Sequence, residues 1–422
     1  MSRRTPRVGA VEVTSKTTRL HPVSTRDRII RAALVGGPMY DPLYDAIPQF
    51  ERDFGFSVDV VVRLPHPELN AWVKDTFASG DADIDLLSTH TKYAPSQAQW
   101  LLPLDEFIAS DHLADLRSRP LELSRIDGRL LQVPRNIDVR LLHYRRDLLE
   151  AGRSRSGNSG PPATWSELAE RASQLTTDSI SGFLFPGRDS GLFGTFYELL
   201  VGAGGKLFDD VLQPAFNSSA GVSAARFIAD LHQVRRVTPR ALPEWHYDEI
   251  SAAFRDGRAA MVCDWPGSYH LYRDPATCRI AECVGLAPLP AGPSGVSAAY
   301  GGCHSFAIPR ASRNPRGGAD FLRYFTSFDA QLGEARRGAI PCRLSALARM
   351  RDEAVPHPAD AYRFQLLAEA EATMIVPPRF AAYPRCEDAI WHAVQQAMIG
   401  AWSPEQAVAR AADEIRSIMD AA

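Results

Sequence analysis

The side chains of this chain that could do chemistry are spread out rather than gathered into a reactive motif. Asp83/Asp85 and Asp209/Asp210 are paired carboxylates, the residue type for acid–base work. Such pairs act only when both members line one cleft, and the surroundings of these two read as solvated strand and turn ends. Gly202-Ala203-Gly204-Gly205-Lys206 has the composition of a phosphate-cradling loop. Yet Leu200 stands where the first glycine belongs, and Leu207 where Ser or Thr should follow the lysine. A glycine cap closing a helix accounts for the same run without a ligand. No HExxH, EF-hand, GxSxG or kinase signature occurs, and no two histidines are spaced i, i+3 or i, i+4. Neither a metal nor another cofactor is therefore expected. The six cysteines include no CxxC pair. Cys278 and Cys283 could bridge a local loop in an oxidising compartment, with buried free thiols as the alternative.

Two stretches place polar or aromatic groups where they are hard to bury. Residues 127–150 run from an Asp127-Gly128 turn through an apolar segment to Pro134, then Arg135-Asn136-Ile137-Asp138, then a strand-like run over 139–144. Pro134 removes a backbone donor and biases Val133 towards extended geometry, which predicts Arg135–Asp138 at a strand's open end. A crossing strand with polar residues at its mouth suits two lobes joined by a hinge, with ligand between them. Further on, Asp264-Trp265-Pro266-Gly267-Ser268-Tyr269 sets aromatic rings on a turn.

The elements that must position these groups follow from periodicity. Residues 29–35 read as a buried strand, 42–54 as a helix capped by Asp41 with Leu43, Ile47, Phe50 and Phe54 on one face, and 57–64 as a second strand. A helix over 67–79 and a short strand over 83–87 complete βαβαβ, with residues 88–93 just beyond the last strand. That order predicts a parallel α/β layer with ligand groups past the strands' carboxyl ends. Residues 152–162 form a Gly/Ser/Pro loop, and a capping box at Thr164-Trp165-Ser166-Glu167 opens the next helix. Strands are expected at 182–185, 259–263, 284–290 and 305–308, and helices at 193–203, 219–235, 248–254, 315–325, 329–337, 359–372, 386–399 and 404–421.

At 422 residues two domains are the natural prior. Apolar content of 45% and a net charge of −3 fit a globular protein with no global field for nucleic acid or anionic membranes. The basic residues are nearly all arginine, the lysines being Lys16, Lys74, Lys92 and Lys206. No run is long and apolar enough to span a bilayer, and residues 1–27 read as a polar, flexible arm without a secretory leader's apolar core.

Taken in order, residues 35–61, 81–108, 127–152 with Pro161 to Leu168, 254–272 and 300–314 resemble the bacterial family 1 extracellular solute-binding proteins. These are the maltose-binding-protein type that serves carbohydrate ABC importers. The resemblance spans nearly everything from residue 29 onward. It implies a two-lobed α/β protein of the periplasmic-binding-protein type II fold, its discontinuous lobes joined by a three-segment hinge. Crossovers are expected near 138–141, 284–290 and 324–329, giving a 1–27 arm, lobe 1 at 28–138 plus 285–325, and lobe 2 at 139–284 plus 326–422. The implied function is capture of a carbohydrate, neutral or anionic, by hinge closure, with ABC permease subunits as partners. A periplasmic or cell-surface location and a monomeric state go with it.

The resemblance also assigns ligand contacts. Asp138 matches the hydroxyl-binding carboxylate, flanked by Arg135 and Asn136. Tyr40 and Asp41 match the first loop, although Asp41 also suits a helix cap, and His90 and Thr91 follow the third strand. Trp265 and Tyr269 match the stacking turn, and Tyr300, Gly301, Gly302 and His304 a loop whose bare backbone admits ligand. Arg379 and Tyr383 match a late contact loop, and Phe193 a stacking position. Arg135, Arg188 and Arg379 keep an anionic sugar open. Two other classes stand beside this one: a glycoside hydrolase with paired cleft carboxylates, and a leaderless cytoplasmic sugar sensor.

Overall fold

The computed structural model describes residues 28–80, 82–152, 160–265, 268–354 and 358–421. The arm expected at 1–27, most of the loop at 152–162, and Pro266-Gly267 lie outside the described residues. In chain order the strands are β1 (Ile29–Val35), β2 (Ser57–Leu64), β3 (Leu86–His90), β4 (Arg125–Ile126), β5 (Arg129–Leu130) and β6 (Val133–Val139). They continue with β7 (Leu141–Arg145), β8 (Met261–Asp264), β9 (Val284–Ala287), β10 (Ala299–Ala307) and β11 (Met374–Ile375). β1 lies parallel between β2 and β3, and β10 runs antiparallel to β3 on one side and to β6 on the other. With β11 beside the start of β10 this makes a six-stranded mixed sheet, while β7 lies between β8 and β9 in a separate antiparallel sheet.

Strand alternation sorts β1 onto two cores. Ile30, Ala32 and Leu34 face Leu43, Ile47 and Phe50 of the helix Asp41–Phe54, whereas Ala33 and Val35 face Leu69, Val73 and Phe77 of the helix His66–Ser79. Each Val, Leu, Ile or Phe side chain so buried contributes about 1.5–3 kcal/mol, and each alanine less. A third core surrounds the smaller sheet, built from the helices Trp165–Leu175, Asp189–Gly202, Tyr383–Met398 and Pro404–Asp420.

The chain passes between the sheets at three places. The first is Arg140, between β6 and β7, so the run read as one strand over 139–144 is two. The second is 288–298, between β9 and β10. The third falls between Ala370 and Ala382, not near 324–329 as expected. Ile340, Cys342, Leu347, Phe364 and Leu367 stay in the same core as Phe321 and Phe325. Their helices, Leu344–Ala354 and Pro358–Ala372, complete the cover of the first sheet; helical periodicity does not say which sheet a helix will cover.

Other expectations need correction. Arg135–Asp138 lie inside the ladder, not at an open end, because Pro134 sits opposite Ser305 where the β6–β10 register shifts and its missing donor leaves no gap. Asp85 is fully buried, not solvated. It accepts from the backbone N–H groups of Arg31, Arg313 and Asn314 at 2.9–3.1 Å and from Ser312 Oγ at 2.9 Å. Residues 182–185 make only isolated bridges to the β8 segment. All six cysteines are free thiols, including Cys278 and Cys283. Among the described residues no helix is long and apolar enough to cross a membrane, and no cluster suited to a metal ion occurs.

Candidate functional site

Strand register builds one wall of the site. His304 on β10 is paired with His90 on β3 and with Asn136 on β6, so two imidazoles stand side by side on one face. Two residues earlier on that face, Gly302 supplies the room. A Cβ there would fall 2.4 Å from His90 Cε1 and 2.5 Å from its Nε2. Gly302 is paired with Asp138, which places the Asp138 carboxylate diagonally beside His304, with Oδ2 2.5 Å from His304 Nε2. On the far side of the ring, His304 Nδ1 lies 2.5 Å from Nε2 of His66, the first residue of its helix. Tyr40 closes the cluster, its hydroxyl 3.3 Å from His304 Nε2.

Tyr40, His66, His90 and His304 line a cavity of about 110 Å³. His66, His90, His304, Tyr40, Lys92 and Tyr93 form one side, and Tyr247, Asp248, Trp265 and Tyr300 the other. Trp265 is half-buried, its ring 5.3 Å from Tyr247 and 5.9 Å from Tyr300. Burial, then the neighbouring His304, holds His66 and His90 well below the ordinary imidazole range, so both are neutral near pH 7. Burial and then Asp138 push the Tyr40 phenol well up, leaving it a protonated donor.

Lys92 reaches from the segment after β3 to Glu387 on the helix Tyr383–Met398, Nζ to Oε1 2.6 Å, with side chains 6% and 5% exposed. Burial alone would lower the ammonium pKa, and Glu387 outweighs it, so the net shift is upward. Nζ also lies 3.4 Å from the Tyr300 hydroxyl. A second buried pair fixes the first crossing. Arg140 donates to Glu198, to Thr195 Oγ1 at 3.0 Å, to the Gly191 carbonyl at 3.2 Å and to the Tyr247 hydroxyl at 3.1 Å. Glu198 in turn accepts the Tyr300 N–H at 2.7 Å.

Of the residues expected to contact ligand, Tyr40, His90, Trp265, Tyr300 and His304 meet at this cavity. The others do not line it. Asp138 and Asn136 lie behind His304, where the Asn136 amide donates to the Asp138 carboxylate at 3.2 Å. Arg135 pairs with buried Glu334 at 2.9 Å. Asp41 is exposed and paired with Arg63 at 2.7 Å, and it is not the helix cap either, since it occupies the first helical turn. Thr91 Oγ1 accepts the Cys303 N–H at 3.2 Å, tying β3 to β10. Gly301 allows close strand packing, since a Cβ there would meet the Asp138 carbonyl at 2.4 Å. Phe193 and Tyr383 are fully buried core rings, and Tyr269 packs between Arg273 and Arg363. Arg379 donates to the Arg125 carbonyl at 3.1 Å.

Missed by sequence were His66, Tyr247, Asp248 and Glu387, while Lys92 and Tyr93 fell within the stretch 88–93 expected beyond the third strand without being singled out. His66 had the one usable signal, a histidine between two prolines at a helix start just past a strand's carboxyl end. A wider cavity, about 980 Å³, lies elsewhere on the second sheet's side, lined by Thr177, His232, Arg236, Arg240 and Trp245 among others. None of the residues singled out in the sequence borders it.

Two α/β bodies, a crossing at three points and a polar–aromatic cavity between them define the two-lobed solute-binding class of fold. The model of the bacterial extracellular solute-binding proteins matches residues 45–359, and the chain belongs to that family. A "Probable ABC transporter-binding protein" of Deinococcus radiodurans is 27% identical over 285 residues, 65% of this chain and 66% of that relative. A "Probable amino-acid ABC transporter periplasmic-binding protein" of Sinorhizobium fredii is 24% identical over 407 residues, 92% of this chain and 89% of the relative. Among solved structures, maltose-bound T. maritima MalE3 superposes with a TM-score of 0.84 at 27% identity, covering 92% of this chain and 99% of that one.

Proposed function

We propose that this chain is the substrate-binding subunit of a carbohydrate ABC importer, capturing a small neutral sugar or polyol between its lobes and releasing it unchanged to the permease. The composition of the cavity carries the reading. Rings of Tyr40, Tyr247, Trp265 and Tyr300 face imidazoles, while Lys92 is already neutralised by Glu387. Aromatic faces suit the C–H faces of a sugar, and phenols and imidazoles suit its hydroxyls. A volume of about 110 Å³ is below the range of about 300–1,000 Å³ usual for ligand pockets, which favours a small solute.

An anionic sugar needs an uncommitted cation. Arg135 is committed to Glu334, Arg188 lies 3.4 Å from Asp189, and Arg379 does not line the cavity. An amino acid would need such a cation and a free carboxylate together. In this reading one lobe is 28–139 with 299–370 and the other 141–287 with 382–421, and hinge motion at the three crossings closes them on the solute. The protein works outside the cytoplasmic membrane as a monomer.

Titration calorimetry with maltose, D-mannitol, glucose 6-phosphate and L-glutamate tests the reading. Heat is expected with a neutral member. Binding of only glucose 6-phosphate or L-glutamate would refute it.

A further inference from the structure

His304 lies between a carboxylate and a second imidazole, 2.5 Å from each, and the chain of donors can be followed outward. A carboxylate only accepts, so the His304 nitrogen facing Asp138, Nε2, must carry hydrogen. In the neutral form of His304 that is its one N–H, so Nδ1 is an acceptor; an imidazolium would instead donate from both nitrogens and reverse the chain. His66 Nε2 therefore donates to it, and His66 Nδ1 keeps its lone pair. Among the described residues nothing else bonds that atom, and the ring lines the cavity. His90 serves differently, since its Nδ1 accepts the Lys92 backbone N–H at 3.3 Å and its Nε2 faces the gap left by Gly302.

We infer that the Asp138–His304–His66 chain fixes His66 as a hydrogen-bond acceptor in the cleft, selecting a solute that presents a hydroxyl proton at that point. The inference rests on the proposed capture of a polyhydroxylated solute and adds its polarity. It gives Asp138 a positioning role, exerted through His304, rather than a direct contact. The cleft then combines one fixed acceptor, His66 Nδ1, with donors at Tyr40 and Lys92. A hydroxyl can answer both kinds of group, whereas an ether or carbonyl oxygen cannot bond His66.

Long-range ¹H–¹⁵N spectra of imidazole-labelled protein at pH 8, without ligand, test the tautomer. Both His304 and His66 are expected to carry hydrogen on Nε2 and none on Nδ1. A proton on His66 Nδ1 would overturn the inference whatever the protein binds. The second arm titrates D-mannitol and maltose into wild type, His66→Phe and His66→Gln, after melting curves show all three folded. His66→Phe is expected to weaken binding more than tenfold. His66→Gln, whose amide oxygen can accept, is expected to recover part of the loss. Unchanged binding by His66→Phe would also overturn it. Absence of heat in wild type with every sugar would instead remove the carbohydrate reading, while the spectra would still decide the tautomer.

Discussion

Replacing Glu387 by Gln separates the two halves of the cleft electrostatically without changing side-chain shape. In the native protein the Lys92 ammonium and Glu387 carboxylate are 2.6 Å apart with side chains 6% and 5% exposed, so neither has much water to fall back on. Removing one partner of such a pair costs about 3–5 kcal/mol, mostly the penalty of an uncompensated buried charge. The Tyr300 hydroxyl, 3.4 Å from Nζ, is too distant to make up much of it. The pH dependence carries the sign. In wild type the Lys92 pKa is raised, so its contribution is full below the unfolded lysine value near about 10.4 and fades as pH rises through the folded value. In Glu387→Gln the lowering by burial is opposed only by Tyr93, and the folded pKa falls below the unfolded one. The deficit should then shrink as pH rises towards about 10. Urea unfolding at pH 7 and pH 9 measures both effects, and Lys92→Met/Glu387→Leu, apolar on both sides, should recover most of the loss. A Glu387→Gln variant within about 0.5 kcal/mol of wild type at pH 7 would refute the reasoning.

Other outcomes follow from the same structure. His143 is fully buried, and burial and then Arg363 hold its pKa down to about 3, so the folded state refuses a proton that the unfolded chain accepts near about 6.5. Its contribution is present above that pH and lost below it, so His143→Leu should flatten the acid limb by about 2 kcal/mol between pH 7.5 and 5 in urea midpoints. Gly302→Ala must displace the His90 ring, whose Cε1 would lie 2.4 Å from the new methyl. It should weaken sugar binding in calorimetry more than tenfold. Asp138→Ala strands a buried imidazole, so its melting temperature should fall clearly, and an unchanged melt would return Asp138 to a surface role.

Much of the fold was legible because apolar spacing is local. The helix Pro315–Phe325 begins and ends where periodicity places it, and Asp41–Phe54 differs only at its start, where Asp41 is the first helical residue and not the cap. What was not legible depends on register and on long-range packing. Nothing in the sequence aligns His90 with His304, and the pairing of β3 with β10 alone does so. Lys92 and Glu387 are 295 positions apart and meet only because two bodies close on each other. Conversely Asp138, Phe193, Tyr269 and Tyr383 have the right residue types at the expected places, yet their side chains face the interior. Residue type can suggest a ligand group, but the pleat decides whether it reaches the cleft.

The most direct measurement of the central claim is a thermal-shift panel of neutral sugars and polyols run in parallel on wild type and Trp265→Ala. Ligand at a hundredfold excess over Kd adds about 2.7 kcal/mol to the folded state. At least one sugar is expected to raise the wild-type melting temperature and to fail to do so in Trp265→Ala, with the two unliganded melts nearly equal. A panel in which no sugar moves wild type, or in which Trp265→Ala responds just as strongly, would contradict it.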